Sequence, residues 1–294
     1  MSVRIRRLAI IGVGLIGGSL ARALRAAGVV DDIVGCGRGR ENLETAVELG
    51  VIDRYSHDVS EAVQGADMVF VAVPLGAMET SFAAMAGCLD ADAVVTDGGS
   101  AKGSVVAAAR AALPGFRGFV AGHPIAGTEN NGVEASFATL YDNRRVILTP
   151  DADTDPGATA RVEAMWRACG AQITYMSVEH HDEVLAATSH LPHMLAFGLV
   201  DTLARMKDND EIFRYAAGGF RDFTRIASSN PVMWRDICIA NSDALSTMLS
   251  AFARELGALA RHIEAGEGDA LLEVFENAKR ARDRFIDGAA DVSE

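Results

Sequence analysis

One short stretch near the start of the chain constrains the fold more than any other feature. The apolar run "LAII" is followed at once by "GVGLIGG", which sets Gly12, Gly14 and Gly17 in G-x-G-x-x-G spacing, and then by the helical pattern "SLARALRAAG". Between a strand and a helix, such glycines permit a tight turn, let the backbone approach a pyrophosphate and let the helix pack on the strand. The N–H groups at the helix N-terminus then face the phosphates. The sequence therefore predicts a dinucleotide-binding unit at the start of a doubly wound domain.

The rest of the first half alternates apolar runs with helical segments. The runs "DIVGCGR", "ADMVFVAVP" and "DAVVTDGGS" each precede a helical segment. This alternation is typical of a parallel sheet with helices on both faces. We expect "GFVAGHP", "RRVILTP" and "GAQITYMS" to be later strands of the same sheet.

The pattern changes near Ser177, a residue type favoured at helix N-caps, to long helical segments without strands. Within them, "GGFRDFTRIASSNPVMWRDI" is interpreted as an interruption between helices, marked by glycine and proline. The predicted fold class is an α/β N-terminal dinucleotide-binding (Rossmann-like) domain plus an all-α C-terminal dimerisation domain. We place the first over residues 1–176 and the second over residues 177–294. Helices so rich in Ala and Leu bury their apolar stripes readily against a second copy, so we expect a homodimer.

Charge and cysteine usage narrow the partners and the compartment. With 40 acidic and 27 basic residues, the net charge of −13 opposes nucleic acid and anionic membranes, so neither is expected as a partner. No apolar run reaches the roughly 18 residues that a membrane span needs. Four widely spaced cysteines suit thiols in a reducing compartment, and the glycine spacing favours a strand and turn over a signal peptide at the N-terminus. We therefore expect a cytoplasmic protein.

The ribose-reading position of the dinucleotide unit lies about 20 residues beyond the glycines and usually carries a carboxylate. Here it falls near Gly37, and "VGCGRGREN" offers Arg38 and Arg40 instead. A guanidinium there can meet a 2′-phosphate, stack on adenine or be solvated, so the sequence permits both NAD and NADP. The predicted cofactor-binding residues are Gly12, Gly14, Leu15, Ile16, Gly17, Gly37, Arg38, Val73 and Pro74.

Four further stretches carry a resemblance to a known family. They are "TDGGSAKG", "GHPIAGTE", "SHLPHMLAFGLVD" and "GFRDFTRIASSNPVMWRDI", in this order along the chain. Together with the dinucleotide unit they resemble the prephenate and arogenate dehydrogenases, the TyrA family of tyrosine biosynthesis, over nearly the entire chain. The resemblance implies NAD(P)-dependent oxidative decarboxylation of prephenate, of arogenate or of both, to 4-hydroxyphenylpyruvate or tyrosine.

The resemblance implies two catalytic residues. Hydride leaves the ring carbon that bears the hydroxyl, so a neutral base must take the hydroxyl proton as a carbonyl forms. The histidine matching His123 is the base in the family, and the serine matching Ser100 bridges it to the substrate hydroxyl. Loss of carbon dioxide needs only a positioned carboxylate, since the ring gains aromaticity.

A dianionic substrate in a chain of charge −13 requires a locally cationic pocket. The resemblance implies that His190 and Arg225 bind the substrate carboxylates, with the carboxylate taken by each left open. It also links Glu129 and Asp222 to substrate access or an ionic network, and Trp234 to a pocket reached from the partner subunit. His180, His181, His190 and His193 lack the spacing of a metal site, so no metal is expected.

Two other classes of protein stay open at this point. An oxidoreductase of the β-hydroxyacid or pyrroline-carboxylate reductase type also joins a Rossmann domain to a helical domain, but it does not place "GHPIAGTE" after the sixth strand. A non-catalytic nicotinamide sensor would keep the fold without the chemistry, which the presence of Ser100, His123, His190 and Arg225 argues against. The end of the chain after "ENAKRARDRFIDGAADVSE" leads us to expect no fused regulatory or mutase domain.

Overall fold

The computed structural model describes residues 3–128, 130–207 and 209–290. The chain divides into two compact units, residues 1–245 and residues 246–294. Six strands of the first unit form one sheet: β1 (Ile5–Ile11), β2 (Val30–Cys36), β3 (Arg54–Ser56), β4 (Met68–Val71), β5 (Val94–Asp97) and β6 (Phe119–Val120). Their order is β3-β2-β1-β4-β5-β6, and every neighbouring pair is parallel. The order reverses beside β1, at the switch point where α/β sheets bind ligands.

Helices connect these strands: α1 (Leu15–Ala26), α2 (Arg40–Glu48), α3 (Val59–Ala62), α4 (Met78–Met85), α5 (Gly103–Ala112) and, later in the chain, α6 (Pro156–Ala168). The buried side chains divide into two clusters because successive strand residues point to opposite faces. Ile10 and Phe70 belong to one cluster, while Ile11 and Val69 belong to the other. Both faces of the sheet are therefore covered, and the predicted doubly wound Rossmann-like architecture is confirmed.

Three later strands form a separate sheet, so the prediction that they continue the first one is wrong. They are β7 (Gly122–Pro124), β8 (Arg145–Leu148) and β9 (Gln172–Tyr175), with β7 antiparallel and β9 parallel to β8. The stretch "GFVAGHP" divides between the two sheets at Ala121. There the N–H of Gly122 donates to Asp97 Oδ1 at 3.0 Å, and the Gly122 carbonyl accepts from Lys102 Nζ at 2.6 Å. Because the N–H and the carbonyl of Gly122 both form hydrogen bonds with side chains, they do not pair with β5, and the parallel ladder ends there.

The described residues after Ser177 form helices and no strand, as predicted: α7 (Val178–Leu185), α8 (Leu191–Ala204), α9 (Asn209–Arg214), α10 (Gly218–Thr224), α11 (Pro231–Ala240), α12 (Ser242–Ala265) and α13 (Gly268–Ala290). Ser177 caps α7, since its side chain accepts from the His180 N–H at 3.1 Å. No helix in the described ranges has the length and apolarity that a membrane crossing requires. The domain boundary after residue 176 stays a prediction.

A π-helical turn, Ala186–His190, joins α7 to α8 in one helical run. One local expectation in the helical part is wrong. The stretch that was expected to interrupt the helices is itself helical, through α10, the 3₁₀ turn Arg225–Ser228 and α11. Asn230 caps α11 by accepting from two backbone N–H groups. The proline there begins a helix, where a missing N–H costs nothing.

Candidate active site

The glycine turn after β1 has the shape of a phosphate cradle. Gly12 has a φ of 101°, and a Cβ there would lie 2.5 Å from the carbonyl oxygen of Ala72. A Cβ on Gly17 would lie 2.2 Å from the Gly12 carbonyl oxygen, whereas one on Gly14 would meet nothing within 4 Å. The first and third glycines are thus required by the protein's own packing, and the second opens to free space at the start of α1. A pyrophosphate fits this space beside the helix N-terminus.

The remaining predicted cofactor residues follow three neighbouring parallel strands: Leu15 and Ile16 begin α1 after β1, Gly37 and Arg38 follow β2, and Val73 and Pro74 follow β4. The carboxyl ends of parallel strands lie at one edge of a sheet. The structure therefore brings all nine predicted positions to the same edge.

The position that is expected to read the ribose, Gly37 after β2, carries no side chain. The Gly37 carbonyl lies 2.8 Å from His57 Nδ1, and a Cβ on Gly37 would make an ordinary 3.6 Å contact with Leu43. Arg38 and Arg40 are both exposed, and of the two only Arg40 forms an ion pair with Glu44.

Ser100 lies in the loop that follows β5, next to the start of α1. A Cβ on Gly98 in that loop would lie 3.4 Å from Ile16, which belongs to the first turn of α1. Asp97 holds the same loop, because its Oδ2 accepts from the Gly99 N–H at 2.7 Å. The predicted catalytic serine is thus carried by a loop beside the cofactor cradle.

His123 lies on β7 and is 8% exposed. Its Nδ1 is 2.9 Å from Nε2 of His181, and Nδ1 of His181 is 2.8 Å from Oδ1 of Asp182. Asp182 also accepts from the backbone N–H groups of Lys102 and Gly103, at 2.7 and 2.8 Å. The two rings and the carboxylate therefore form one buried chain of hydrogen bonds that ends at the start of α5.

Burial is the main reason that the pKa of His123 lies well below its usual range, and the nearby His181, Lys102 and His190 lower it further. Burial also lowers the pKa of His181, but hydrogen bonding to Asp182 opposes that effect. His123 is therefore neutral at pH 7, the protonation state that a general base requires.

His190 ends the π-helical turn and is 1% exposed. Asn241 donates from Nδ2 to the Asp182 carbonyl at 2.8 Å and lies 3.1 Å from His190 Nδ1. Because this amide nitrogen is a donor, Nδ1 of His190 accepts and Nε2 carries the hydrogen. Within the described ranges that buried Nε2 makes no hydrogen bond of normal geometry, while the Ser100 backbone lies close enough to the ring to favour its protonated form. Burial, the largest cause, lowers the pKa of His190 to about 4, so this ring is a neutral donor at pH 7.

Trp234 lies beside this donor. Its ring stacks on His193 with centroids 3.6 Å apart and meets His190 edge-on at 6.1 Å. The positive charge of Arg225, in the turn that follows α10, contributes to the lowered pKa of His193, after burial as the main cause. His190, His193, Trp234 and Arg225 thus occupy one region.

Two predicted residues contribute less to this picture. Asp222 is exposed on α10, three residues before Arg225. Glu129 lies outside the described residues.

Sequence reasoning missed several residues that hold the site together: Asp97, Lys102, His181, Asp182 and Asn241. His181 and Asp182 sit together in "SVEHHD" near the N-terminus of α7, and that pairing was the available signal. Their role depends on Lys102 and His123, far away in sequence. No local pattern could reveal it.

A cradle for a dinucleotide and a buried histidine that can act as a base are the parts that a nicotinamide-dependent dehydrogenase requires. The family model for the nucleotide-binding domain of prephenate dehydrogenase matches residues 20–175. The family model for the dimerization domain of prephenate dehydrogenase matches residues 177–277. The chain belongs to the prephenate dehydrogenase family.

Individual relatives agree along most of the chain. The cyclohexadienyl dehydrogenase of Zymomonas mobilis is 42% identical over 94% of this chain and 95% of its own length. The prephenate dehydrogenase of Bacillus subtilis is 36% identical over 92% of this chain and 74% of its own length. The crystal structure of prephenate dehydrogenase from Aquifex aeolicus with hydroxyphenyl propionate and NAD+ superposes with a TM-score of 0.89 at 38% identity, covering 96% and 99% of the two chains.

Proposed function

We propose that this chain catalyses the NAD(P)-dependent oxidative decarboxylation of prephenate, of arogenate or of both, with His123 as the base. The observation that carries the proposal is the buried hydrogen-bond chain of His123, His181 and Asp182, which starts one residue after Gly122, whose N–H binds Asp97 at the end of β5. The family membership supplies the substrate class, since relatives are dehydrogenases of cyclohexadienyl compounds. The products are 4-hydroxyphenylpyruvate from prephenate and tyrosine from arogenate.

The residues of the cradle fit an oxidised nicotinamide dinucleotide. Gly12, Gly14 and Gly17 shape the turn for the pyrophosphate, and the start of α1 supplies N–H donors to it. When bound, the cofactor accepts a hydride from the substrate. With Gly37 at the ribose position and Arg38 exposed beside it, both NAD and NADP are expected to be used.

His123 and Ser100 are proposed to handle the hydroxyl proton. Ser100 bridges the substrate hydroxyl to His123 Nε2, the ring nitrogen that His181 does not occupy. As hydride departs, the hydroxyl becomes a carbonyl and its proton passes to the base. The ring then loses its carboxylate as carbon dioxide, and the electron pair of the broken bond passes to the carbonyl oxygen as the ring becomes aromatic. The base returns the proton to this oxygen, which gives the phenol of the product.

His190 and Arg225 are proposed to hold the two substrate carboxylates. His190 does so as a neutral donor, because its buried Nε2–H makes no hydrogen bond of normal geometry among the described residues. Arg225 supplies the positive charge, and its planar guanidinium can form two parallel hydrogen bonds with a carboxylate. Trp234 closes this region, and Asp222 and Glu129 are proposed to act on substrate access.

Assembly and location complete the proposal. Leu249, Leu256 and Ile263 recur every seven residues along α12 and are 40%, 49% and 66% exposed, so they form an uncovered apolar stripe within the second unit. We propose that a second copy covers it, giving a homodimer through the helical domain. All four cysteines are free thiols, which supports a cytoplasmic location.

A turnover assay tests the proposed activity. Purified chain is incubated with prephenate or arogenate and with NAD+ or NADP+, while the absorbance of the reduced nicotinamide is followed. We expect turnover with at least one pair. Cofactor binding without turnover on either substrate would instead indicate a nicotinamide sensor.

A further inference from the structure

The base at the active site is the first member of a chain of three groups. His123 Nδ1 lies 2.9 Å from His181 Nε2, and His181 Nδ1 lies 2.8 Å from Asp182 Oδ1. Both rings are buried, at 8% and 0% exposed. Two backbone N–H groups donate to the Asp182 carboxylate, so its oxygens are acceptors and it stays ionised.

This arrangement fixes the hydrogen positions on both neutral rings. Ionised Asp182 accepts only, so Nδ1 of His181 carries the hydrogen and Nε2 of His181 is an acceptor. His123 must then donate from Nδ1, and its Nε2 is left as a lone pair. The same nitrogen is the one that the base must offer to the substrate proton.

We propose that His181 is a positioning residue that receives the proton displaced from His123 and carries the positive charge during the reaction. The substrate O–H proton passes to the Ser100 hydroxyl as that hydroxyl gives its own proton to Nε2 of His123. The Nδ1 proton of His123 passes in turn to Nε2 of His181, which becomes an imidazolium paired with Asp182. His123 ends neutral, with its hydrogen on Nε2, and the relay runs backwards when the proton is released.

The charges around the two rings support the placement of the positive charge on His181 and not on His123. His181, Lys102 and His190 each lower the pKa of His123, and the nearby Asp97 carboxylate is taken up by Lys102 and the Gly122 N–H. His181 also faces Lys102, but Asp182 and Asp97 face it as well and favour its protonated form. A proton held on His123 alone would leave a buried cation without a carboxylate beside it. One ring further on, the same charge lies against Asp182.

The variant His181→Gln tests the relay. The kinetic assay uses the substrate of the proposed function, on which this inference rests. Its amide oxygen can still accept from His123 Nδ1, but the amide cannot take a proton. We expect kcat to fall by roughly 10²-fold, the usual scale for a lost proton-transfer partner, with KM and cofactor affinity little changed. The acid limb of the kcat/KM profile should move to lower pH, because only His123 then titrates. The matched control is His180→Gln, an exposed histidine one residue away, which should behave as wild type.

Two outcomes of the kinetics overturn the proposal. Turnover of His181→Gln within about threefold of wild type would show that no proton passes to residue 181. A fall in kcat with an unmoved acid limb would reduce His181 to a structural role. Equal unfolding midpoints for wild type and variant guard against misfolding as the cause.

Imidazole nitrogen NMR of the protein with ¹⁵N-labelled histidine gives a readout without substrate. We expect hydrogen on Nδ1 of both His123 and His181 at neutral pH. Hydrogen on Nε2 of His123 would overturn the relay. This measurement stands even if the chain fails to turn over prephenate and arogenate, so failure of the relay and failure of the proposed function are distinguishable.

Discussion

The ammonium of Lys102 and the carboxylate of Asp97 form an ion pair in which neither side chain has exposed surface. The same two side chains bind the carbonyl and the N–H of Gly122, the residue before His123. The pair therefore ends the parallel sheet and orients the strand that carries the base. Its removal should affect both stability and catalysis.

Lys102→Met should destabilise the protein by about 3 to 5 kcal/mol, because it leaves the Asp97 carboxylate buried without its cation. Urea unfolding measures this change. Lys279→Met is the matched control, since Lys279 pairs with Asp283 on the surface, where both side chains are more than half exposed. The control should cost less than about 1 kcal/mol. Equal losses in the two variants would contradict a special role for the buried pair.

His123→Asn should lower kcat by roughly 10²-fold or more, the usual scale for a positioned general base. Cofactor affinity should stay near the wild-type value, because the cradle lies on other strands. Steady-state kinetics and cofactor titration check the two parts. Wild-type turnover in this variant would remove His123 from the mechanism.

Arg225→Ala should chiefly raise KM, by a factor that corresponds to about 2 to 3 kcal/mol for a lost charged hydrogen bond. Arg221→Ala is the matched control, because Arg221 is an exposed arginine on the neighbouring helix α10. Steady-state kinetics with the preferred substrate supply both constants. An unchanged KM in Arg225→Ala, or an equal rise in both variants, would contradict carboxylate binding by Arg225.

Gly37→Asp should shift the ratio of kcat/KM values towards NAD by about 1 to 3 kcal/mol, since it adds a ribose acceptor and repels a 2′-phosphate. The site accommodates the new side chain, because a Cβ there makes only ordinary contact with Leu43. Gly39→Asp adds the same charge two residues further on and serves as the control. If the ratio of the kcat/KM values for NAD and NADP is unchanged, or changes equally in both variants, Gly37 does not face the ribose.

The stability of the protein should fall as pH drops below about 6.5, the usual pKa of histidine in an unfolded chain. Burial holds the pKa of His190 at about 4 in the folded state, so between these values the unfolded chain binds the extra proton. The slope from this one group is about 1.4 kcal/mol per pH unit. Urea unfolding at several pH values should show a shallower slope in His190→Gln and an unchanged slope in His180→Gln. Identical slopes in all three proteins would contradict a buried neutral His190.

The sequence predicted those parts of the fold that depend on local pattern. Glycine spacing between a strand and a helix identifies the cradle, because Gly12 and Gly17 are required by close backbone packing. Alternating strands and helices predict five strands of the first sheet in the same way, but not the short strand β3, and they wrongly add β8 and β9 to that sheet. Ser177 marks the start of α7 because a hydroxyl that caps a helix acts within three residues.

Contacts between distant residues lay beyond such reasoning. His123 meets His181 across 58 positions, and Lys102 meets Asp182 across 80. The first sheet ends at Gly122 because the side chains of Asp97 and Lys102 form hydrogen bonds with its backbone. A strand pattern in the sequence cannot predict contacts made by two distant buried side chains. The neutral state of His190 likewise follows from burial. The sequence suggests a cationic group at this position, whereas the buried ring is a neutral hydrogen-bond donor.

One turnover of the proposed reaction couples hydride transfer to loss of carbon dioxide. The most direct test measures reduced cofactor and aromatic product together, in the same reaction of the wild-type chain with prephenate or arogenate. We expect one equivalent of 4-hydroxyphenylpyruvate or tyrosine for each equivalent of reduced cofactor. Reduced cofactor without the aromatic product would mean a simple alcohol dehydrogenase and would contradict the proposed function, as would no reaction with either substrate.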